Sequence, residues 1–132
     1  MTVVVDASAL VELLLATPTG AALGRRLRVG RVLAPDIVDA EVAAALRRAH
    51  RQGALPADGL GRALDLLLDW PGVRVPSRVL VRGARRWWGK VSAYDSLYLA
   101  VAEAAGGGVL TCDGRVSRAP GTGVPVENVR VT

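Results

Sequence analysis

The sequence contains no phenylalanine, one cysteine, one histidine and one methionine. The lone cysteine, Cys112, excludes an intrachain disulfide and a thiolate zinc cluster. The lone histidine, His50, sits in an arginine-rich stretch, so Ser-His-Asp chemistry and histidine-ligated zinc would each hang on one poorly placed residue. Long apolar runs are missing as well, since every such stretch is interrupted before it could span a bilayer. Met1 leads directly into strand-forming residues rather than a basic leader. The expectation is a cytoplasmic protein, free of the membrane, whose polar chemistry comes from carboxylates, hydroxyls and arginines.

What is present is apolar and basic. At 132 residues and 51% apolar content, the chain is long enough to bury one substantial core, so a single domain over residues 1–132 is expected. The net charge is +5, and all but one of the 17 basic residues are arginine. Such a surface favours polyanions, RNA and DNA among them, or an acidic partner segment.

The patterning alternates. Val3–Val5 has the unbroken β-branched character of a buried parallel strand, and an apolar helix runs from about Ala9 to Leu15. A short helix over Ala21–Leu27 and a strand at Val32–Ala34 follow. Apolar residues at 37, 38, 42, 45, 46 and 49 place one face on a helix from Asp36 to Arg51. Pro56 opens another to about Asp69, and Val73–Val75 alternates like a strand. Ser77 to Trp88 is expected to be helical, and Ser92 with Asp95 has the spacing of a capping box that opens a helix to about Ala105. Val109–Cys112 is a further strand, Val116–Ala119 a helical turn, and two short strands are expected at 124–126 and 129–131. Strands alternating with helices call for an α/β fold with a mostly parallel sheet covered on both faces.

Against that frame, four of the twelve acidic residues stand out. Asp6 and Asp113 each follow a strand, and ligands of open parallel sheets bind at the carboxyl ends of strands. Asp95 lies in the first turn of the helix leading to the Asp113 strand, and Glu41 one turn into the helix after the second strand. Each has a plain structural explanation taken singly: a helix cap for Asp6, a capping box for Asp95, a tight turn for Asp113 and a solvated helix face for Glu41. Jointly they bring carboxylates to one edge from separate parts of the chain. Converging carboxylates repel unless a cation intervenes, and hard oxygen ligands suit Mg²⁺ or Mn²⁺, ions that partner phosphate substrates. Water on such an ion can become a nucleophile while the ion polarises a phosphodiester.

Three segments, "VVVDASALVELLL", "APDIVDAEVAAALRRAH" and "SAYDSLYLAVAEAAGGGVLTCDGRVSRA", occur in an order and spacing that resemble the PIN-domain ribonucleases, specifically the VapC-type toxins of bacterial toxin–antitoxin systems. The resemblance implies a three-layer α/β/α sandwich around a short, mostly parallel sheet, and a metal-dependent endoribonuclease activity. It implies Asp6, Glu41, Asp95 and Asp113 as catalytic and metal-binding acids, with Ser8 and Thr111 as supporting hydroxyls. It also implies RNA as substrate, a cognate antitoxin that places an arginine near the acids, and homodimers within a toxin–antitoxin assembly. Many relatives carry a further acid or amide one helical turn past the last aspartate. Here Asp113-Gly114-Arg115-Val116-Ser117 has none, which puts a second metal in doubt.

Basic residues near these segments are candidates for RNA binding: Arg47, Arg48 and Arg51 at one helix end, and Arg85, Arg86 and Lys90 in "RGARRWWGK". Their alternative is a solvated helix terminus favoured by the dipole. Aromatic and arginine surfaces suit single-stranded RNA, and of the adjacent Trp87 and Trp88 one is expected in the core and one outside. Tyr94 and Tyr98 are expected to pack or to make dimer contacts, and Cys112 to be an inert buried thiol. The rival reading is a PIN-like module without catalysis, serving RNA binding or protein interaction. A phosphatase is weaker, because neither an Asp-Asp pair nor an Asp-x-Asp motif occurs.

Overall fold

Val3, Val4 and Val5 form the centre of the molecule as β1 (Thr2–Val5), buried on both faces as their unbroken β-branched run demands. The computed structural model describes residues 1–131; Thr132, the last residue of the expected single domain, lies outside them. Four further strands complete one sheet: β2 (Arg31–Pro35), β3 (Val73–Val75), β4 (Gly108–Thr111) and β5 (Val126–Asn128). Their order is β3-β2-β1-β4-β5, and every pairing is parallel. The chain builds outward from β1 through β2 to β3, then returns to β4 on the other side. The switch point therefore falls between β1 and β4.

Helices cover both faces. Helix α1 (Ala7–Leu14) packs on α2 (Pro18–Arg26) and α3 (Val38–Arg51), and α3 on α4 (Ala57–Asp69). After the reversal, α5 (Val81–Ala84) packs on α6 (Ala93–Ala105), which lies across β1, β2 and β4. Right-handed crossovers in opposite directions put these groups on opposite faces, giving the expected α/β/α sandwich. A four-residue α7 (Gly114–Ser117) precedes β5.

Local chemistry sets the boundaries. Asp6, Thr17, Ser92 and Asp113 each accept a backbone N–H at the start of a helix, and the first of these caps starts α1 at Ala7, two residues before its apolar run suggests. Gly106 ends α6 at φ 70°, a left-handed cap that glycine adopts without a Cβ clash. Gly20 lets α2 approach α1, since a Cβ there would lie 1.8 Å from the Glu12 carbonyl oxygen. His50 contacts the Leu55 carbonyl through Nδ1 at 2.8 Å and closes the end of α3.

Two expectations fail. Residues 77–88 do not form one helix but a 3-10 turn at Ser77–Val79, α5, and a second 3-10 turn at Arg85–Trp87. The Trp87 indole N–H donates to the Thr122 carbonyl at 2.7 Å, which draws that ring inward and tightens the segment. The last strand is β5 alone, with Val129–Val131 irregular. Four-residue β4 offers pairing only from Val126 to Asn128, and beyond it Val131 N–H donates to Thr19 Oγ1 at 3.0 Å instead.

Candidate active site

The carboxyl ends of β1 and β4 open onto a cavity of about 350 Å³, lined by Asp6, Glu41, Asp95 and Asp113 together with Ser8, Arg48, Tyr98 and Arg115. The four acids arrive from β1, α3, α6 and the β4–α7 junction, so the sheet edge gathers them from across the sequence.

Asp6 is the most deeply placed, at 6% exposure. Its Oδ1 accepts from Ser8 Oγ at 2.7 Å and from the Ala9 N–H at 3.1 Å, and its Oδ2 accepts from Thr111 Oγ1. The two hydroxyls are themselves fixed: Cys112 N–H donates to Ser8 Oγ and Asp113 N–H to Thr111 Oγ1, each at 2.9 Å. Each hydroxyl thus accepts from the end of β4 and passes its single proton to Asp6. Three backbone N–H groups, two hydroxyls and a carboxylate form one satisfied network, leaving a lone pair on Oδ2 for a cavity ligand. Asp6 therefore caps a helix and lines the cavity at once.

Glu41 is half-buried, and its Oε1 accepts from the Tyr98 hydroxyl at 2.6 Å. Asp95 N–H donates to Ser92 Oγ at 3.0 Å. The reciprocal bond of a full capping box, from the Asp95 carboxylate to the Ser92 N–H, is absent among the described residues, so that carboxylate lines the cavity rather than closing the cap. Asp113 Oδ1 accepts from the Arg115 N–H at 2.9 Å and Nε at 3.3 Å, and its Oδ2 accepts from Arg115 at 3.2 Å.

The electrostatics divide the four. Burial raises Asp6, Glu41 and Asp95 above the usual carboxylate range, more than hydrogen bonds lower them, and repulsion adds to it: Asp95 on Asp6 and Glu41, Asp113 on Asp95. Burial would raise Asp113 too, but hydrogen bonds and charge from Arg115, with Arg118 beyond, hold it low. Burial and the facing Glu41 carboxylate keep the Tyr98 hydroxyl protonated, a fixed donor.

The donor chemistry fits a hard divalent ion: carboxylate oxygens only, three of them carrying charge that burial disfavours. Asp6, Glu41, Asp95 and Asp113 are the residues that would hold it. Among the described residues no three acidic, cysteine or histidine side chains close into a ready-made cage. The acids ring an open cavity, and Asp113 is engaged by Arg115.

Of the candidate RNA-binding residues, Arg48 lines this cavity and Lys90 lines a neighbouring one. Arg47, Arg51 and Arg85 are exposed outside the cavity lining. Arg86 pairs with Glu103 and stacks on Trp87, 4.1 Å from the ring centre. Trp87 is the buried tryptophan and Trp88 the exposed one. Cys112 is buried, and burial raises its thiol, as an inert cysteine requires. Tyr98, expected to pack or to make a dimer contact, is buried in the core and also holds Glu41. Its position three residues after Asp95, on the same helix face, was the available signal. Arg115 had no signal, since its role depends on the turn into α7.

Tyr98→Phe removes the donor to Glu41 and keeps the ring. Apparent Mn²⁺ affinity, read by calorimetry, is expected to fall by about 10- to 100-fold with the fold retained. An unchanged titration would reduce Tyr98 to packing.

A parallel sheet with this strand order and an acid-lined cavity at its switch point defines a class, and the PIN domain matches residues 3–121, so the chain belongs to the PIN-domain family. Within that family it is of the VapC type. Ribonuclease VapC12 of Mycobacterium tuberculosis is 39% identical over 128 residues, covering 96% of this chain and 98% of that protein. Ribonuclease VapC3 of the same organism is 41% identical over 118 residues, covering 89% and 86%. The crystal structure of FitAcB from Neisseria gonorrhoeae superposes with a TM-score of 0.64 at 20% identity, over 96% of this chain and 97% of that one, and shares the fold.

Proposed function

We propose that this protein is a Mg²⁺- or Mn²⁺-dependent endoribonuclease, the toxin of a toxin–antitoxin pair. The convergence of Asp6, Glu41, Asp95 and Asp113 on one cavity carries the reading, and relatives named ribonucleases over nearly the whole chain support it.

When bound, a hard divalent ion supplies Lewis-acid polarisation of the phosphodiester and lowers the pKa of water for in-line attack. The protein's own residues do the rest. Asp6, locked by Ser8 and Thr111, presents one lone pair. Glu41 is aimed by Tyr98, and Asp95 faces the same space from the first turn of α6. Arg48 lies on the cavity wall, where a guanidinium meets phosphate oxygens, and Arg47 and Arg51 extend that charge along the end of α3. Arg85, Arg86 and Lys90 supply a second basic flank. Ser117, whose hydroxyl donates to the Gly114 carbonyl at 3.2 Å, does not line the cavity, which favours one ion over two.

The cavity suits a single strand, whose bases can be splayed out of a stack. Cleavage leaves a 5′-phosphate and a 3′-hydroxyl. Control falls to a cognate antitoxin with an arginine aimed at the acids; the Arg115–Asp113 pair supports this, since a guanidinium already meets one of them. Homodimers within a toxin–antitoxin assembly, in the cytoplasm where such RNA lies, complete the reading. Among the described residues no single helix is long and apolar enough to cross a membrane.

The test is end mapping on total cellular RNA. Discrete cuts bearing 5′-phosphates are expected with Mg²⁺ or Mn²⁺ and none with chelator. Chelator-resistant cuts ending in cyclic phosphates would overturn the metal-dependent reading, and no cuts with metal would leave a non-catalytic module.

A further inference from the structure

A second cavity, of about 420 Å³, adjoins the acidic one and shares Ser92, Asp95 and Arg115 with it. Its outer wall is Trp88, Gly89, Lys90 and Val91. The neighbouring tryptophans have opposite fates. Trp87 is anchored through its indole, and its carbonyl accepts from Lys90 N–H at 2.8 Å and Val91 N–H at 3.1 Å, which fixes the turn. That turn holds Trp88 outward, 53% exposed.

Trp88 borders chemistry of two kinds. On one side lies the second cavity with two cations, and on the other a slot of about 210 Å³ walled by Ile37, Val81, Ala84, Tyr94 and Leu97. Lys90 Nζ donates to the Gly121 carbonyl and keeps two further donors. Arg115 meets Asp113 through Nε and one terminal nitrogen, leaving its other terminal nitrogen without a partner among the described residues, on a side chain 86% exposed. A ligand matching this wall is flat and aromatic at one end and anionic at the other. A nucleotide has that form, and the volume lies within the range of small-ligand sites. Continuity with the acidic cavity favours RNA over a protein partner, because a strand crossing the acids runs directly onto this wall.

We propose that the second cavity is a nucleotide subsite, in which Trp88 stacks the base beside the scissile phosphate and Lys90 and Arg115 take the adjoining phosphate. This rests on the endoribonuclease reading and names how the strand is gripped. Stacking on one ring tolerates every base, so the subsite supplies affinity and register rather than sequence choice.

The experiment uses a fluorescein-labelled single-stranded RNA pentamer and full-length protein carrying Asp6→Asn, which keeps the probe intact. Anisotropy gives affinity and sedimentation gives assembly state, with Trp88→Ala and Trp88→Phe added in turn; thermal unfolding confirms folding. Trp88→Ala is expected to weaken binding by about 5- to 100-fold and to abolish quenching of tryptophan emission by unlabelled pentamer. Trp88→Phe keeps a ring and stays within about threefold. Equal affinity for Trp88→Ala overturns the subsite, and so does a loss accompanied by a changed assembly state, which would make Trp88 a protein contact. The Asp6-intact protein separates the two ideas. Cleavage without Trp88 dependence sinks the subsite alone, and Trp88-dependent binding without any cleavage sinks the nuclease alone.

Discussion

Asp6→Asn is expected to lower RNA cleavage by about a thousandfold or more while leaving thermal unfolding unchanged or slightly raised. The loss follows from charge. Asp6 is the carboxylate at the centre of the gathered acids, and an amide neither balances a divalent ion nor offers it an anionic lone pair. Retention of the fold follows from the hydrogen-bond network. The amide oxygen can keep the Ser8 and Ala9 donors at the Oδ1 position. The amide nitrogen then replaces Oδ2 and donates to Thr111 Oγ1, which has a lone pair to spare beside the Asp113 N–H. The displaced Thr111 proton finds Ser8 Oγ, 3.3 Å away. No buried group is orphaned, and a buried charge is removed.

Asp6→Ala behaves differently. It strips the cap from α1 and leaves Ser8, Thr111 and the Ala9 N–H without their acceptor, a cost of about 1–3 kcal/mol. The pair of variants, compared by cleavage time courses and circular-dichroism melts, separates chemistry from folding. Metal-supported cleavage by Asp6→Asn at the wild-type rate would remove Asp6 from the site.

Much of this was legible in the sequence because it rests on local rules. An unbroken Val3–Val5 run buries as a parallel strand, and aspartates placed directly after strands arrive at one edge of a parallel sheet. Contacts set by tertiary packing were not legible. Tyr98 gave the pattern of a core helix residue, and only the approach of α3 to α6 turns its hydroxyl to Glu41. The broken segment around Trp87 depends on a carbonyl 35 residues away in the chain. Arg115 lies two residues past Asp113, yet its hold on that acid needs the turn into α7. Glu127 had no clear role in the sequence, and it pairs with Arg26 from the distant α2 at 2.5 Å.

Divalent cation is expected to stabilise the protein near neutral pH and to lose that effect in acid. Burial raises the folded-state pKa of Asp6, Glu41 and Asp95 above their unfolded values, so the folded chain binds more protons than the unfolded chain between those values. Stability from these groups is full below the unfolded carboxylate pKa and falls as pH rises through the folded one. Asp113, held low by Arg115 against its own burial, runs the other way and contributes above its unfolded pKa. The net charge of +5 grows on acidification and blurs any single melting curve. The difference between wild type and Asp6→Asn isolates Asp6: without metal, the advantage of the variant should widen as pH rises from about 4 to 7. Mn²⁺ at a hundred times its dissociation constant adds about 2.7 kcal/mol, a rise on the order of 10 °C for a chain of this length. The rise should shrink at about pH 4.5, where protons compete for the same oxygens, and in Asp6→Asn at every pH. Scanning calorimetry across that pH range decides it. An equal Mn²⁺ effect in wild type and variant would place the ion away from Asp6, and a variant advantage that narrows with rising pH would contradict a burial-strained carboxylate.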